Sequence, residues 1–116
     1  RDFIHVADLV AALLKILYSS KKNKIYNIAR GKETTVNKIA KLIGGKKIMI
    51  PKRPGEPDRS LGDIRKIKKE LKWSPKISIE RGVNELLKNL QNWKKAPVWT
   101  PKKIEKETKV WFKLLT

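Results

Sequence analysis

Cysteine is absent from the 116 residues, and histidine occurs once, as His5. Without thiols there is no disulfide framework, no thiolate nucleophile and no cysteine-built metal site, and a single imidazole argues against a zinc centre. A cytoplasmic setting is the expectation that goes with this composition. No apolar run approaches the ~20 residues of a membrane span. The longest, Leu9 to Leu17, is broken by Lys15 and reads as a helix. There is no Gly-x-Gly-x-x-Gly and no phosphate-loop signature; Gly44-Gly45 reads as a helix stop. Ser19, Ser20 and Ser60 have no recognisable His-plus-acid partners, which leaves acyl transfer without support.

Arginine is also scarce. Of 29 basic residues, 23 are lysine, against 11 acids, for a net charge of +18. Such an excess raises nucleic acid as a partner, because a clustered basic face binds phosphate chains and releases counterions. The lysines are spread over every segment, however, with few arginines to read bases and no ladder of alternating aromatic and basic residues. A solvated, lysine-biased surface is the better reading, and a freestanding nucleic-acid-binding module is the alternative.

What is present alternates in character along the chain. Arg1–Val6 is β-prone. Asp8 is placed to cap a helix whose Leu9, Val10, Leu13, Leu14 and Leu17 keep the 3.6-residue rhythm, and with Ala11, Ala12 and Ile16 this helix is apolar nearly all round. Lys24–Ala29 is a second β-prone run. Thr34 or Thr35 then caps a helix with Val36, Ile39, Ala40 and Ile43 inward. A third β-type run, Lys47–Pro51, leads into a Pro/Gly loop. Asp63 caps a helix carrying Ile64, Ile67 and Leu71, and Ser78 caps one carrying Ile79, Val83, Leu86, Leu87 and Leu90. Thr100-Pro101 opens a last helix with Ile104, Trp111 and Leu115 on one side. Three short strands interleaved with five helices predict an α/β or α+β arrangement, too few strands for a complete doubly wound sheet. The chain opens on Arg1 within a strand-like pattern, so a piece of a longer protein is expected.

The loop Lys52-Arg53-Pro54-Gly55-Glu56 carries the one chemical suggestion. Pro presets φ and Gly accepts positive φ, so a turn here would fix Arg53 relative to Glu56. An arginine fork suits phosphate and a carboxylate accepts sugar hydroxyls, a sensible pair for a nucleotide. His5, with no second histidine nearby, reads as a packed or hydrogen-bonded residue and not as a base.

Taken in order, Arg1-Asp2-Phe3-Ile4-His5-Val6-Ala7-Asp8, Tyr26-Asn27-Ile28-Ala29-Arg30-Gly31, Thr35-Val36-Asn37-Lys38-Ile39-Ala40, Arg53-Pro54-Gly55-Glu56, Ser60-Leu61-Gly62-Asp63, Leu71-Lys72-Trp73-Ser74-Pro75 and Ser78-Ile79-Glu80-Arg81-Gly82 resemble the C-terminal half of the extended short-chain dehydrogenase/reductases. The likeness is to the NAD-dependent nucleotide-sugar epimerases and dehydratases of the UDP-glucose 4-epimerase type, and it covers about residues 1 to 93. The resemblance implies a two-domain enzyme whose N-terminal Rossmann domain binds NAD and would lie upstream of Arg1. The present chain would be its C-terminal nucleotide-sugar-binding part over residues 1–95, with an extension helix over 96–116. Carried over by resemblance, Arg1 and Arg53 contact the diphosphate and Glu56 a ribose hydroxyl; where Ser60 stands, the family often has Tyr. No catalytic, cofactor-binding or metal residue is expected in this chain, since the family's Ser/Thr, Tyr and Lys would lie upstream, and alone it is expected to be inactive. The implied chemistry of the parent is hydride transfer through a keto-sugar. The implied partners are a nucleotide-diphosphate sugar of the UDP kind and a second copy of the parent; from the composition no membrane partner is expected, and nucleic acid is the disfavoured alternative.

Overall fold

The computed structural model describes residues 1–49 and 55–115, apart from the side chains of Phe112 and Leu115. Five α-helices follow one another: α1 (Val6–Leu17), α2 (Val36–Ile43), α3 (Arg65–Leu71), α4 (Ile79–Lys88) and α5 (Pro101–Leu115), with a 3₁₀ turn at Leu90–Trp93. All five helices expected from the periodicity are present.

No strand forms among the described residues, which corrects the expected α/β arrangement with three strands. A strand needs a neighbour for its N–H and C=O groups, and the three β-prone runs do not supply one another. Arg1 and Thr34 exchange one reciprocal backbone pair, at 3.0 and 2.8 Å, and no ladder extends it. The Lys24–Ala29 run is held by side chains instead. Tyr26 donates its hydroxyl to Glu70 at 2.7 Å, Lys66 Nζ donates to the Ile25 carbonyl and lies 5.3 Å from the centre of the Tyr26 ring, and Asn27 donates to the Asp63 carbonyl. The third run is irregular through Met49; Ile50 and Pro51 fall outside the described residues.

The helix ends show the local chemistry. Thr35 and Ser78 accept from Lys38 N and Arg81 N as N-caps of α2 and α4, and Gly44 closes α2 at φ +80°. The cap of α1 is a correction. His5 holds that position, its Nδ1 accepting from Ala7 N, whereas Asp8 lies in the first turn, buried, and accepts from Lys76 N and Ile77 N at 2.9 Å each. Asp63 does accept from Arg65 N at 3.0 Å, but the cap residue of α3 is Ile64. The far end of α3, where Lys72 turns left-handed at φ 50°, is closed by α1: Lys15 Nζ donates to the Leu71 and Lys72 carbonyls at 3.2 and 3.0 Å.

The core is small. Ala12, Ile64, Ile67 and Trp73 are buried together, with Ile4, Ile16, Tyr26, Ile28, Ala29 and Leu71 packed against them. Val83 is buried separately where α2 packs on α4. The α1 helix, apolar nearly all round, buries only Ala12 and Asp8; Leu13 is 51% exposed and Leu17 72%. The accessible surface is 9922 Å², against about 6,500 Å² for a globular monomer of this mass. The radius of gyration is 17.6 Å, where about 13 Å is the norm for this length. The uncovered apolar face of α1 contributes to this surface.

Two outcomes test these contacts. Lys38 and Glu80 join α2 to α4 at 2.6 Å, and this hydrogen bond holds the Glu80 carboxyl down at about 2, from an ordinary 4.5. Because the folded-state value is depressed, the stabilisation is complete above pH 4.5 and is lost as pH falls through about 2. Thermal melting followed by circular dichroism between pH 6 and 2 should show that fall flattened in Glu80→Gln. Removing the Asp8 acceptors by Asp8→Ala strands two backbone donors and should cost about 1.5–3 kcal/mol or more in urea unfolding.

Candidate functional site

Asp2 is the residue that assembles the site. Its carboxylate accepts from three backbone N–H groups on two distant segments: Arg30 at 2.8 Å and Gly31 at 2.9 Å on one, and Gly62 at 3.0 Å on the other. A carboxylate is acceptor-only and can take several donors at once, so one short side chain ties both segments to the start of the chain. The approach is close enough to dictate glycine. A Cβ on Gly62 would come within 2.3 Å of the Ala29 Cβ, and Gly31 sits at φ +72° with the Ile64 side chain 2.8 Å from where its Cβ would be.

With the 60–63 segment pinned in this way, Arg1 comes against the loop before it. Its guanidinium meets the Glu56 carboxylate at 2.8 Å and also donates to the Pro57 carbonyl. Both side chains of the pair keep a quarter to a third of their surface in solvent, 25% and 33%. They form one wall of a cleft of about 800 Å³ whose other lining includes Thr34, Thr35, Val36 and Met49. Arg59 braces its rim through a two-pronged pair with Glu33, one contact at 3.0 Å, and that guanidinium holds the Glu33 carboxyl below the usual carboxylate range. Of the three expected substrate-contacting residues, Arg1 and Glu56 thus stand together on one cleft, 55 positions apart in sequence. Arg53 lies outside the described residues. Ser60 is partly buried between Arg59 and the pinned Gly62.

A second, apolar groove of about 520 Å³ runs between the first residues, α2 and α4, lined by Phe3, Ile39, Ile79 and Leu86 among others. His5 stands in it with Nε2 at 3.5 Å from Glu85, and its other nitrogen is occupied in capping α1. A Cβ on Gly82 of α4 would lie 3.1 Å from the His5 ring, a tight contact that glycine avoids. His5 is a structural residue by these contacts.

The cleft offers a fork of donors, a carboxylate and hydroxyls, a set suited to holding an anion beside a polyol. Among the described residues no group of three or more His, Asp or Glu could hold a metal ion. Nor do the residues fit a dinucleotide: the paired glycines 44 and 45 close the C-terminal end of α2, the wrong pole of a helix for pyrophosphate. Sequence reasoning gave Asp2 no structural role and read Asp8 as a cap. The signal available was their type: an acid inside an apolar run needs donors, although which donors is not written locally.

The cleft thus brings a guanidinium, carboxylates and hydroxyls together on an α-helical frame. Comparison with known proteins supplies the family. Residues 1–86 match the family model described as GDP-mannose 4,6 dehydratase. UDP-glucose 4-epimerase 4 of Oryza sativa subsp. japonica is 37% identical over 103 residues, covering 80% of this chain and 27% of its own length. UDP-glucose 4-epimerase 2 of Arabidopsis thaliana is 33% identical, covering 80% and 28%. UDP-arabinose 4-epimerase 1 of the same plant is 36% identical, covering 82% and 24%. No solved structure matches the chain. The chain belongs to the NAD-dependent epimerase/dehydratase family of nucleotide-sugar enzymes. It spans about a quarter of the length of these curated relatives.

The pinned glycine gives a direct test of how the site is held. Gly62→Ala should cost about 1–3 kcal/mol of stability through overpacking against Ala29. A urea midpoint equal to that of the parent sequence would show that the two segments are not in this contact.

Proposed function

We propose that this chain is the substrate-binding part of an NAD-dependent nucleotide-sugar epimerase or dehydratase, and that its cleft holds the nucleotide diphosphate of a UDP-sugar. The observation carrying the reading is the meeting of Arg1 and Glu56 on one cleft wall, in a chain of this family. In the absence of nucleotide, Glu56 neutralises Arg1. A diphosphate oxygen would replace that carboxylate as the acceptor of the fork, and Glu56, released, would accept a ribose hydroxyl. Arg53, two positions before Gly55 in the sequence, would add a second cation to the same diphosphate. The described lining carries Arg1 and Arg59 against Glu33, Glu56 and Asp58, with Arg59 already paired to Glu33, so the reading depends on the further cation that Arg53 would bring to a doubly charged ligand.

For the whole enzyme, this reading carries hydride transfer through a keto-sugar with NAD, a homodimer and a cytoplasmic setting. The residues of this chain do not fit NAD, and no step of that chemistry is assigned to them. Their contribution is binding and the orientation of the sugar that follows from fixing the diphosphate. The exposed apolar face of α1 supports the same reading, since a helix of that composition is built to be covered. Residues 1–95 would form the binding part and 96–116 an added segment.

Calorimetric titration of the full-length protein with UDP tests the assignment. Arg1→Ala and Arg53→Ala should each weaken binding by more than ~tenfold, the equivalent of about 1.5–3 kcal/mol for a charge-assisted bond. Glu56→Gln should weaken UDP but not inorganic diphosphate, which has no ribose. Unchanged UDP affinity in both arginine variants would dismiss the site.

A further inference from the structure

The last quarter of the chain lies beyond the family match, which ends at residue 86, and its composition changes with it. Between residues 94 and 113 there are seven lysines against two glutamates and no arginine. In α5, Lys102, Lys106, Lys109 and Lys113 recur at i, i+4, i+7 and i+11 and therefore form one stripe. Ile104, Thr108 and Trp111 recur at i, i+4 and i+7 on the opposite side. Thr108 turns its hydroxyl back to the Ile104 carbonyl at 2.7 Å, which removes its polarity from that face. Ile104 and Thr108 themselves are half-buried, whereas large apolar groups before and within the helix stand in solvent: Trp93 is 57% exposed, Val98 74%, Trp99 58% and Leu114 78%.

We propose that residues 93–115 form a docking element for an anionic bilayer surface, with α5 lying in the plane of the interface. Charge complementarity selects this occupant. A lysine stripe opposite an apolar one, flanked by exposed tryptophans, is the pattern of a helix that rests at the headgroup level. Lysine stems reach past the apolar boundary to phosphate while indole rings sit where water meets acyl chain. Double-stranded or single-stranded nucleic acid is a poorer fit, because no guanidinium is present to read bases and the aliphatic Val98 and Leu114 have no role on a phosphate chain. A second copy is disfavoured by self-repulsion of a chain with net charge +18. The expectation of no membrane partner rested on the lack of a spanning helix. Among the described residues no helix is long and apolar enough to cross, and a helix lying on the surface does not need to be.

Vesicle flotation of the 116-residue chain tests this, using neutral phosphatidylcholine vesicles and vesicles with phosphatidylglycerol added. The chain should float with the anionic vesicles and not with the neutral ones, and tryptophan emission should shift to the blue on binding. Replacing the four stripe lysines by glutamate should reduce the floated fraction by ~tenfold or more. Trp99→Ala should weaken binding while the helicity of the free chain stays unchanged. Flotation that survives both changes would overturn the proposal and transfer the binding to another face such as α1. Flotation abolished by 0.5 M salt without any emission shift, or a labelled RNA that displaces the chain from vesicles, would overturn it in favour of simple charge attraction.

Discussion

Two aspartates within the first eight residues hold this molecule together. Asp2 gathers the amides of Arg30, Gly31 and Gly62, and Asp8 gathers those of Lys76 and Ile77. Every one of these bonds joins segments at least 28 positions apart. With so few buried apolar side chains, the fold depends on such polar fasteners more than a full domain does. A charge-assisted bond to a backbone amide contributes about 1.5–3 kcal/mol, comparable with burying one Leu or Ile side chain. Five of them rival the small cluster around Ile67 and Trp73.

How much of this was legible beforehand divides along a physical line. Helix content is written in local periodicity, and the five helices were found because Val36–Ile43 or Ile79–Lys88 encode an apolar face within a single turn rule. The caps Thr35 and Ser78 are equally local. Strands were overcalled because β propensity describes a side chain that suits a pleated surface without stating that a neighbouring strand exists. Tyr26 and Ile28 do pack against the core, as a strand's inner face would. Their backbone, however, finds side chains in place of a ladder. Asp8 was misread for a related reason. Its capping propensity is a local property, whereas its actual donors at residues 76 and 77 are set by the tertiary fold.

The candidate site was legible in part for the opposite reason. Arginine and glutamate announce their chemistry by type, so Glu56 could be singled out from its turn. That Arg1 would stand opposite it is not contained in either segment and came through family resemblance. The structure then supplies the cause of the meeting: Asp2, next to Arg1, holds Gly62, and Gly62 fixes the chain leading back through Arg59 to Glu56. Glycine at position 62 is therefore part of the binding geometry although it offers a ligand nothing of its own.

The charge pattern completes the picture of a chain with two unlike regions. In the first 86 residues eight of the nine acids have named partners: Asp2 and Asp8 backbone amides, Glu33, Glu56, Asp63, Glu80 and Glu85 basic side chains, and Glu70 Tyr26. Each of these carboxylates fixes a contact, and cations are paired in the process. After residue 93 seven lysines stand against two glutamates, so a net positive field extends outward until salt screens it over the Debye length of about 8 Å. A surface that keeps its charge uncommitted while holding tryptophans in solvent gains nothing for the fold by doing so, since exposed indole forgoes the burial that would stabilise it. The stability of the body and the composition of its last helix are thus governed by different demands: internal satisfaction in the first, and complementarity to something outside the chain in the second.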